Sequence, residues 1–177
     1  MFLSKLFSSK ERLKVIGFLF FNSATEIKVR ETARKTGTSP FLVSGTIKLL
    51  QKEGIVKKNK IDLLNPKVKA IKIILNLGEI HSINLLEKTR RAFPDCKGIG
   101  LYGSWAKGLN YSDSDLDLWV KTEKKETEKI SRIVKEKLKT DASVLLLSEK
   151  KLEELREKDF VFYSELHNSF VLWGEGI

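Results

Sequence analysis

The first half of the chain places apolar residues at helical spacing between short polar breaks, a pattern that predicts helices followed by a hairpin. Ser8-Ser9-Lys10-Glu11 has the form of a capping box that opens a first helix reaching about Phe21. Further along, Ser39-Pro40 places an N-cap residue before a proline suited to a first helical turn. The expected elements are a strand or lead-in over 26–29, helices over 30–36 and 41–53, and a hairpin over 55–63.

The second half alternates short apolar runs with charged amphipathic segments, which is typical of an α/β layer. Strands are expected over 99–102, 116–120, 144–147 and 170–173, with helices over 105–109, 126–138, 149–158 and 161–167. Helical runs over 67–76 and 82–92 connect the two halves. The pattern predicts an α+β chain with domains at residues 1–75 and 76–177, the second a mixed β-sheet flanked by helices.

Basic residues are concentrated in the first half. Residues 1–75 hold 16 Lys and Arg against 5 Asp and Glu, whereas residues 76–177 hold 17 against 18. A basic front half beside a neutral back half favours a polyanionic partner for the front half, with nucleic acid ahead of a membrane. An excess of surface lysine with no partner is the alternative.

The cysteine content excludes an internal disulfide and a cysteine-based zinc site, and the histidines are assigned no role. Cys96 is the single cysteine, and the two histidines, His81 and His167, lie far apart in sequence. The apolar run over 15–21 follows several lysines, as in a signal peptide. That run is too short to span a membrane, and no small-residue cleavage site follows it. These features predict a cytoplasmic protein.

Two polar signals lie close together in the second half. Gly103-Ser104 directly follows an apolar strand, and Asp115-Leu116-Asp117 opens the next strand. Because side chains alternate along a strand, Asp115 and Asp117 share one face, about 7 Å apart, while Leu116 points to the other. Two carboxylates so placed suit a hard divalent cation such as Mg²⁺ or Mn²⁺.

The glycine-serine turn suits the phosphates of a nucleotide. Gly103 allows a sharp turn and a close approach of the backbone to a ligand, and amides at the following helix start attract phosphate. Ser104 adds a hydroxyl donor at the same place. Combined with the aspartate pair, the turn predicts a nucleoside triphosphate held between the turn and carboxylate-bound Mg²⁺.

Other interpretations of these residues fit less well. The run from Gly98 to Gly103 is formally GxGxxG, but its glycines fall among strand residues and no strand precedes it. The acidic triplet that begins at Asp113 has calcium-loop spacing, but its sixth and twelfth positions lack the glycine and glutamate of an EF-hand. A solvated acidic turn explains Asp113 but not two acids within an apolar strand.

The second half resembles the minimal branch of the DNA polymerase beta-type nucleotidyltransferase superfamily. The matching motifs are LYGSWAKG at residues 101–108 and SDSDLDL at residues 112–118, and the resemblance spans about residues 85–175. It implies that Gly103 and Ser104 hold the nucleotide phosphates. It also implies that Asp115 and Asp117 bind the metals that align the attacking hydroxyl with the α-phosphorus.

Members of this superfamily usually supply a third carboxylate from a later strand. Asp141 is the acid near the start of the strand over 144–147, so the resemblance makes it the expected third metal ligand or general base. If the active-site face passes through Ser143 instead, the third carboxylate is absent and catalysis is impaired.

The first half resembles the winged helix-turn-helix of small transcriptional regulators over about residues 8–75. The shared order is helix, short helix, glycine turn, a helix started by Ser-Pro, and a basic hairpin. The resemblance implies that the third helix enters the major groove and that hairpin lysines contact phosphates. The expected DNA-contacting residues are Ser44, Thr46, Lys48, Lys57, Lys58 and Lys60. Domains of this kind also serve in protein docking or dimerisation, which is the alternative.

Two functions follow from these resemblances. The first is a Mg²⁺-dependent nucleotidyltransferase that moves a nucleoside monophosphate from an NTP to an acceptor hydroxyl and carries a DNA-binding domain. The second is a DNA-binding transcriptional regulator whose transferase-like domain is a nucleotide sensor or an antitoxin-type module. The second draws on the frequent pairing of minimal members with small helical partner proteins.

Overall fold

The computed structural model describes residues 2–124 and 126–177. The chain divides into two compact units, Met1–Leu75 and Asn76–Ile177. Each unit has its own buried apolar residues, and each is described by itself below. No helix in the described parts of the chain combines the length and the apolar character needed to cross a membrane.

The first unit contains a group of helices followed by a two-stranded antiparallel hairpin. Its elements are α1 (Phe2–Leu6), α2 (Lys10–Phe21), α3 (Val29–Thr36), α4 (Pro40–Lys52), β1 (Val56–Lys57) and β2 (Lys60–Ile61). The next helix, α5 (Pro66–Ser82), begins in this unit and continues into the second. Helices α2, α3 and α4 pack against one another around a core that includes Val15, Phe20, Val43, Leu50 and Ile55.

Local hydrogen bonds set the helix boundaries in this unit. The Ser9 hydroxyl accepts the amide of Arg12 at 3.1 Å and caps α2, so the expectation that Ser8 is the capping residue is wrong by one position. The Ser39 hydroxyl accepts the amide of Leu42 at 3.2 Å and caps α4 as expected. Gly37 ends α3 in a left-handed conformation, with φ +64°, that glycine adopts without strain.

The hairpin turn has left-handed backbone at both of its central residues. Lys58 and Asn59 have φ of 46° and 57°, as in the primed turns whose twist matches that of paired strands. The carbonyl of Asn59 accepts the amide of Ile27 at 2.7 Å. Residues 26–28 belong to neither a helix nor a strand, so of the two expected alternatives this segment is a lead-in to α3, which begins at Val29.

The second unit is built on a four-stranded mixed sheet, which confirms the predicted α+β class with a mixed sheet. Its strands are β3 (Gly98–Leu101), β4 (Leu116–Lys121), β5 (Ala142–Leu147) and β6 (Phe170–Gly174), in the order β5-β4-β3-β6. The pair β4 and β5 is parallel, and the other two pairs are antiparallel. Its helices after α5 are α6 (Leu85–Ala92), α7 (Gly103–Lys107), α8 (Glu128–Leu138), α9 (Glu149–Lys158) and α10 (Phe160–His167).

The central strand β4 is buried on both faces of the sheet. Leu118 and Trp119 are both fully buried. A Cβ at Gly100 would lie 2.2 Å from the Trp119 ring, so glycine on β3 makes room for the indole. The indole nitrogen of Trp119 donates to the Ser169 hydroxyl at 2.7 Å, which satisfies its polar group inside the core. This packing holds β4 in the core of the sheet. Asp115 and Asp117 lie at the start of this strand.

Candidate active site

The two predicted polar signals meet at one end of the sheet. β3 ends at Leu101, and the turn at Gly103 opens α7. β4 begins at Leu116, with Asp115 immediately before it and Asp117 within it. The Tyr102 amide donates to the Asp117 carbonyl at 3.0 Å, which ties the end of β3 to the start of β4.

Gly103 packs directly against the Asp117 carboxylate. Its φ is +65°, and a Cβ built on it would lie 2.2 Å from the Asp117 Oδ2. A side chain at this position would be strained and would collide with the carboxylate. The sequence therefore needs glycine here both for the turn and for the close approach of backbone to acid.

The loop that leads to Asp115 is anchored by hydrogen bonds. The Ser114 carbonyl accepts the Trp105 indole N–H at 3.2 Å and the Thr140 hydroxyl at 2.8 Å. The Ser114 hydroxyl accepts the amide of Tyr111 at 2.8 Å. Because these hydrogen bonds hold Ser114 in place, they also fix the backbone position of Asp115, the next residue and the last before β4.

Negative charge converges on Asp117. Burial raises the pKa of this half-buried carboxyl above its usual value, and the neighbouring charges of Asp115 and Glu165 raise the pKa further. Glu165 lies on α10, far along the chain from β4, and nothing in the local sequence pattern singles it out. This residue was not predicted from the sequence, since only the packing of α10 brings it near the aspartates.

Glu165 also lines a small cavity beside the glycine turn. The cavity has a volume of about 120 Å³, and its wall includes Tyr102, Gly103, Lys107 and Glu165. The Lys107 ammonium is 2.5 Å from the Glu165 Oε1, so a cation and an anion face each other on this wall. The cavity is a concave space next to the residues predicted to hold phosphate.

The parallel pairing of β4 with β5 brings Ser143 beside Asp117. The register matches Asp117 with Ser143. Tyr102 shares a hydrogen bond with the Ser143 side chain, and burial raises the pKa of the Tyr102 phenol. A serine therefore occupies the β5 position next to the half-buried aspartate.

Asp141 lies just before β5, and its backbone carbonyl accepts the amide of Leu116 at 2.9 Å. Its side chain is exposed, and its Oδ2 is 2.7 Å from the Lys135 ammonium. The structure thus brings together Asp115, Asp117 and Glu165, whereas the Asp141 carboxylate is engaged by a lysine of α8.

The donor set at β4 fits a divalent cation that is shared with a ligand. Among residues 2–124 and 126–177, no group of three or more His, Cys, Asp and Glu side chains is arranged to hold a metal ion. Mg²⁺ commonly binds through one or two carboxylates together with substrate phosphates, and does not need a cage made of protein alone. Asp115 and Asp117 supply two such carboxylates beside the glycine turn. Their like charges repel each other, and a cation would neutralise them.

A second candidate surface lies on the first unit. Lys48 is exposed on α4 and Ser44 is half-buried, and Lys58 and Lys60 are exposed on the hairpin. The exposed Lys57 is 2.8 Å from the Asp62 carboxylate. This surface carries five of the six residues predicted to contact DNA.

Thr46 does not belong to that surface. It is fully buried, and its hydroxyl donates to the Leu42 carbonyl at 2.8 Å within α4. Thr46 follows the same helical spacing as Val43 and Leu50, which face the core. This corrects the prediction that Thr46 lies on an outward face.

Comparison with known proteins gives one match. The family model for the nucleotidyltransferase domain matches residues 82–172, just over half of the chain. The matched segment contains the glycine turn, Asp115, Asp117 and Glu165. Neither a curated protein nor a solved structure matches the chain at a significant level.

Proposed function

The chain belongs to the nucleotidyltransferase domain family, and on that premise we propose that it transfers a nucleoside monophosphate from an NTP to an acceptor hydroxyl, with Mg²⁺ or Mn²⁺ as cofactor. The observation that carries the proposal is the contact between Gly103 and the Asp117 carboxylate. This contact places the turn that suits phosphates directly beside the acidic pair that suits a metal ion.

The residues of this site divide into two roles. Asp115 and Asp117 hold the divalent cation, and Gly103 with Ser104 holds the phosphates of the nucleotide. A bound cation would neutralise negative charge on the phosphates. In the transfer, the acceptor oxygen bonds to the α-phosphorus, the bond from that phosphorus to pyrophosphate breaks, pyrophosphate leaves, and the proton of the acceptor hydroxyl passes to water.

Two further acidic residues, Glu165 and Asp141, bear on this site. The charge of Glu165 helps to raise the pKa of Asp117, and Glu165 pairs with the Lys107 ammonium on the cavity wall, which supports a part for Glu165 in ordering that wall. The sequence motif predicts Asp141 as the third carboxylate. In the structure this carboxylate pairs with Lys135, and we propose that the cation is held by Asp115 and Asp117 without it. To reach a metal beside Asp115, Asp141 has to leave its ion pair with Lys135.

The test is pyrophosphate release and transfer of label from [α-³²P]NTP with Mg²⁺ or Mn²⁺, using panels of small hydroxyl compounds, proteins and nucleic acid ends. Asp117→Asn keeps the size of the side chain but removes its charge, and we expect transfer to fall on the order of 100-fold or more. The matched control is Asp113→Asn, an exposed acid in the turn before β4, which should transfer at the wild-type rate. Equal activity of the wild type and Asp117→Asn would refute the proposal.

The second candidate function is a regulator that senses a nucleotide without transferring it. Ser143 favours this candidate, because the β5 position beside Asp117 holds a serine and not the third carboxylate that the sequence motif calls for. In this case the protein binds ATP analogues with Mg²⁺, releases no pyrophosphate with any acceptor, and changes its DNA affinity when the nucleotide is bound. A small helical partner protein, as in antitoxin-type pairs, belongs to this candidate.

We propose in addition that the first unit is a winged helix-turn-helix that binds DNA through α4 and the β1–β2 hairpin. Its 16 basic residues against 5 acidic ones support a polyanionic partner. Exposed lysines at 48, 58 and 60 lie on these two elements. Binding to duplex DNA should weaken steeply as the salt concentration rises, because phosphate contacts release counterions.

A further inference from the structure

One line of residues runs along the side of α4 that faces away from the core. Phe41, Gly45, Lys48 and Lys52 follow the spacing i, i+4, i+7 and i+11, opposite the buried positions that include Val43 and Leu50. All four are exposed. We refer to Phe41, Gly45, Lys48 and Lys52 as the α4 seam.

The apolar end of the seam is Phe41, which is 90% exposed. The cap at Ser39 and the proline at Pro40 fix the first turn of the helix, so the ring is presented from ordered backbone. Packing within the first unit does not account for a phenylalanine here, because the ring is absent from the core of that unit. A single exposed ring is common on protein surfaces. What distinguishes Phe41 is that it shares one face of α4 with an open glycine and two lysines, so that a single molecule can contact all four.

The rest of the seam indicates the chemistry of that molecule. Gly45 has open space where a side chain would stand, so another surface can approach the helix closely. Lys48 and Lys52 are cations, and within residues 2–124 and 126–177 neither forms an ion pair. An apolar ring, a gap and two cations along one line are complementary to a polyanion that also presents apolar groups.

The major groove of DNA has this combination, because phosphates border it and the 5-methyl groups of thymine project into it. We propose that Phe41 reads thymine through its 5-methyl group while Lys48 and Lys52 contact the flanking phosphates. The inference rests on the proposed DNA-binding role of the first unit. It adds to that role a specificity residue that the sequence motif did not assign.

The test uses the full chain and duplexes enriched by binding from a random-sequence pool. Each enriched duplex is also prepared with deoxyuridine in place of thymidine, which removes only the 5-methyl groups. The wild type should bind the deoxyuridine duplex about four-fold more weakly for each methyl group that Phe41 covers. Phe41→Ala should bind both duplexes with equal affinity, close to that of the wild type for the deoxyuridine duplex.

The matched control is Leu64→Ala, which removes another apolar side chain of the same unit that is 94% exposed but lies outside α4. This variant should keep the wild-type preference for thymidine. The inference is overturned if Phe41→Ala retains the full thymidine preference, or if it leaves DNA binding unchanged and alters only self-association. A wild-type protein that enriches no duplex would refute the DNA-binding role itself, a result separate from either of these.

Discussion

Gly103 leaves no room for a side chain at the point where the nucleotide turn meets β4. The Gly103→Ala change introduces a Cβ 2.2 Å from the Asp117 Oδ2, at a backbone φ of +65°. The strained backbone should lower the free energy of unfolding by about 1–2 kcal/mol. Displacement of the carboxylate by about 1 Å should reduce nucleotidyl transfer on the order of 100-fold. Denaturant titration and the label-transfer assay measure the two effects separately.

Gly78→Ala is the matched control for this change. Gly78 lies in α5, and an added methyl group there would have nothing within 4 Å. Alanine should therefore raise stability by about 0.5–1 kcal/mol and leave transfer unchanged. If Gly103→Ala transferred as well as Gly78→Ala, the close contact with Asp117 would have no part in function.

At the scale of elements, the pairing of β4 with β5 shows which residue of β5 lies beside Asp117, where a third carboxylate would be expected. Asp141 is exposed and its carboxylate is bound to Lys135, whereas Ser143 stands beside Asp117. Asp141→Asn should therefore leave the transfer rate within about three-fold, because the Asp141 carboxylate pairs with Lys135 and the cation is held by Asp115 and Asp117. The measurement is the same transfer assay, with Asp117→Asn as the inactive reference. A loss with Asp141→Asn as large as with Asp117→Asn would establish Asp141 as the third catalytic acid.

The elements were predicted well where the local pattern decides them. Ser39-Pro40 starts α4, and Gly37 ends α3, because caps and turns depend on neighbouring residues alone. The capping residue of α2 was misplaced by one position, because two consecutive serines offer the same chemistry. The direction of Thr46 was also misjudged, since a polar residue within a helix can donate to its own backbone and turn inward.

At the scale of the whole molecule, Lys72 on α5 makes stability depend on pH in the alkaline range. Burial lowers the pKa of Lys72 from 10.5 to about 8. The folded state therefore resists protonation of this amine more than the unfolded state does. The resulting destabilisation is fully present below pH 8 and disappears as the pH rises toward 10.5.

Comparison of Lys72→Met with the wild type isolates this effect. The difference in free energy of unfolding between the two should shift in favour of the wild type between about pH 7 and about pH 10, measured by urea titration at each pH. Lys69→Met, which removes an exposed lysine of the same helix, serves as the control and should show no such shift. A difference for Lys72→Met that is the same at both pH values would contradict the lowered pKa.

The sequence by itself determined the parts of this protein whose physics is local. Helix caps, the glycine turn and the aspartate pair at the start of β4 depend on residues that are neighbours in the chain. The uneven distribution of charge is also a property of the sequence alone. Tertiary structure alone decided that the charge of Glu165, on α10, acts on Asp117, and that Ser143 pairs with Asp117 across β4 and β5. Strand register and helix packing join residues distant in sequence, and they follow from how whole elements fill a shared core.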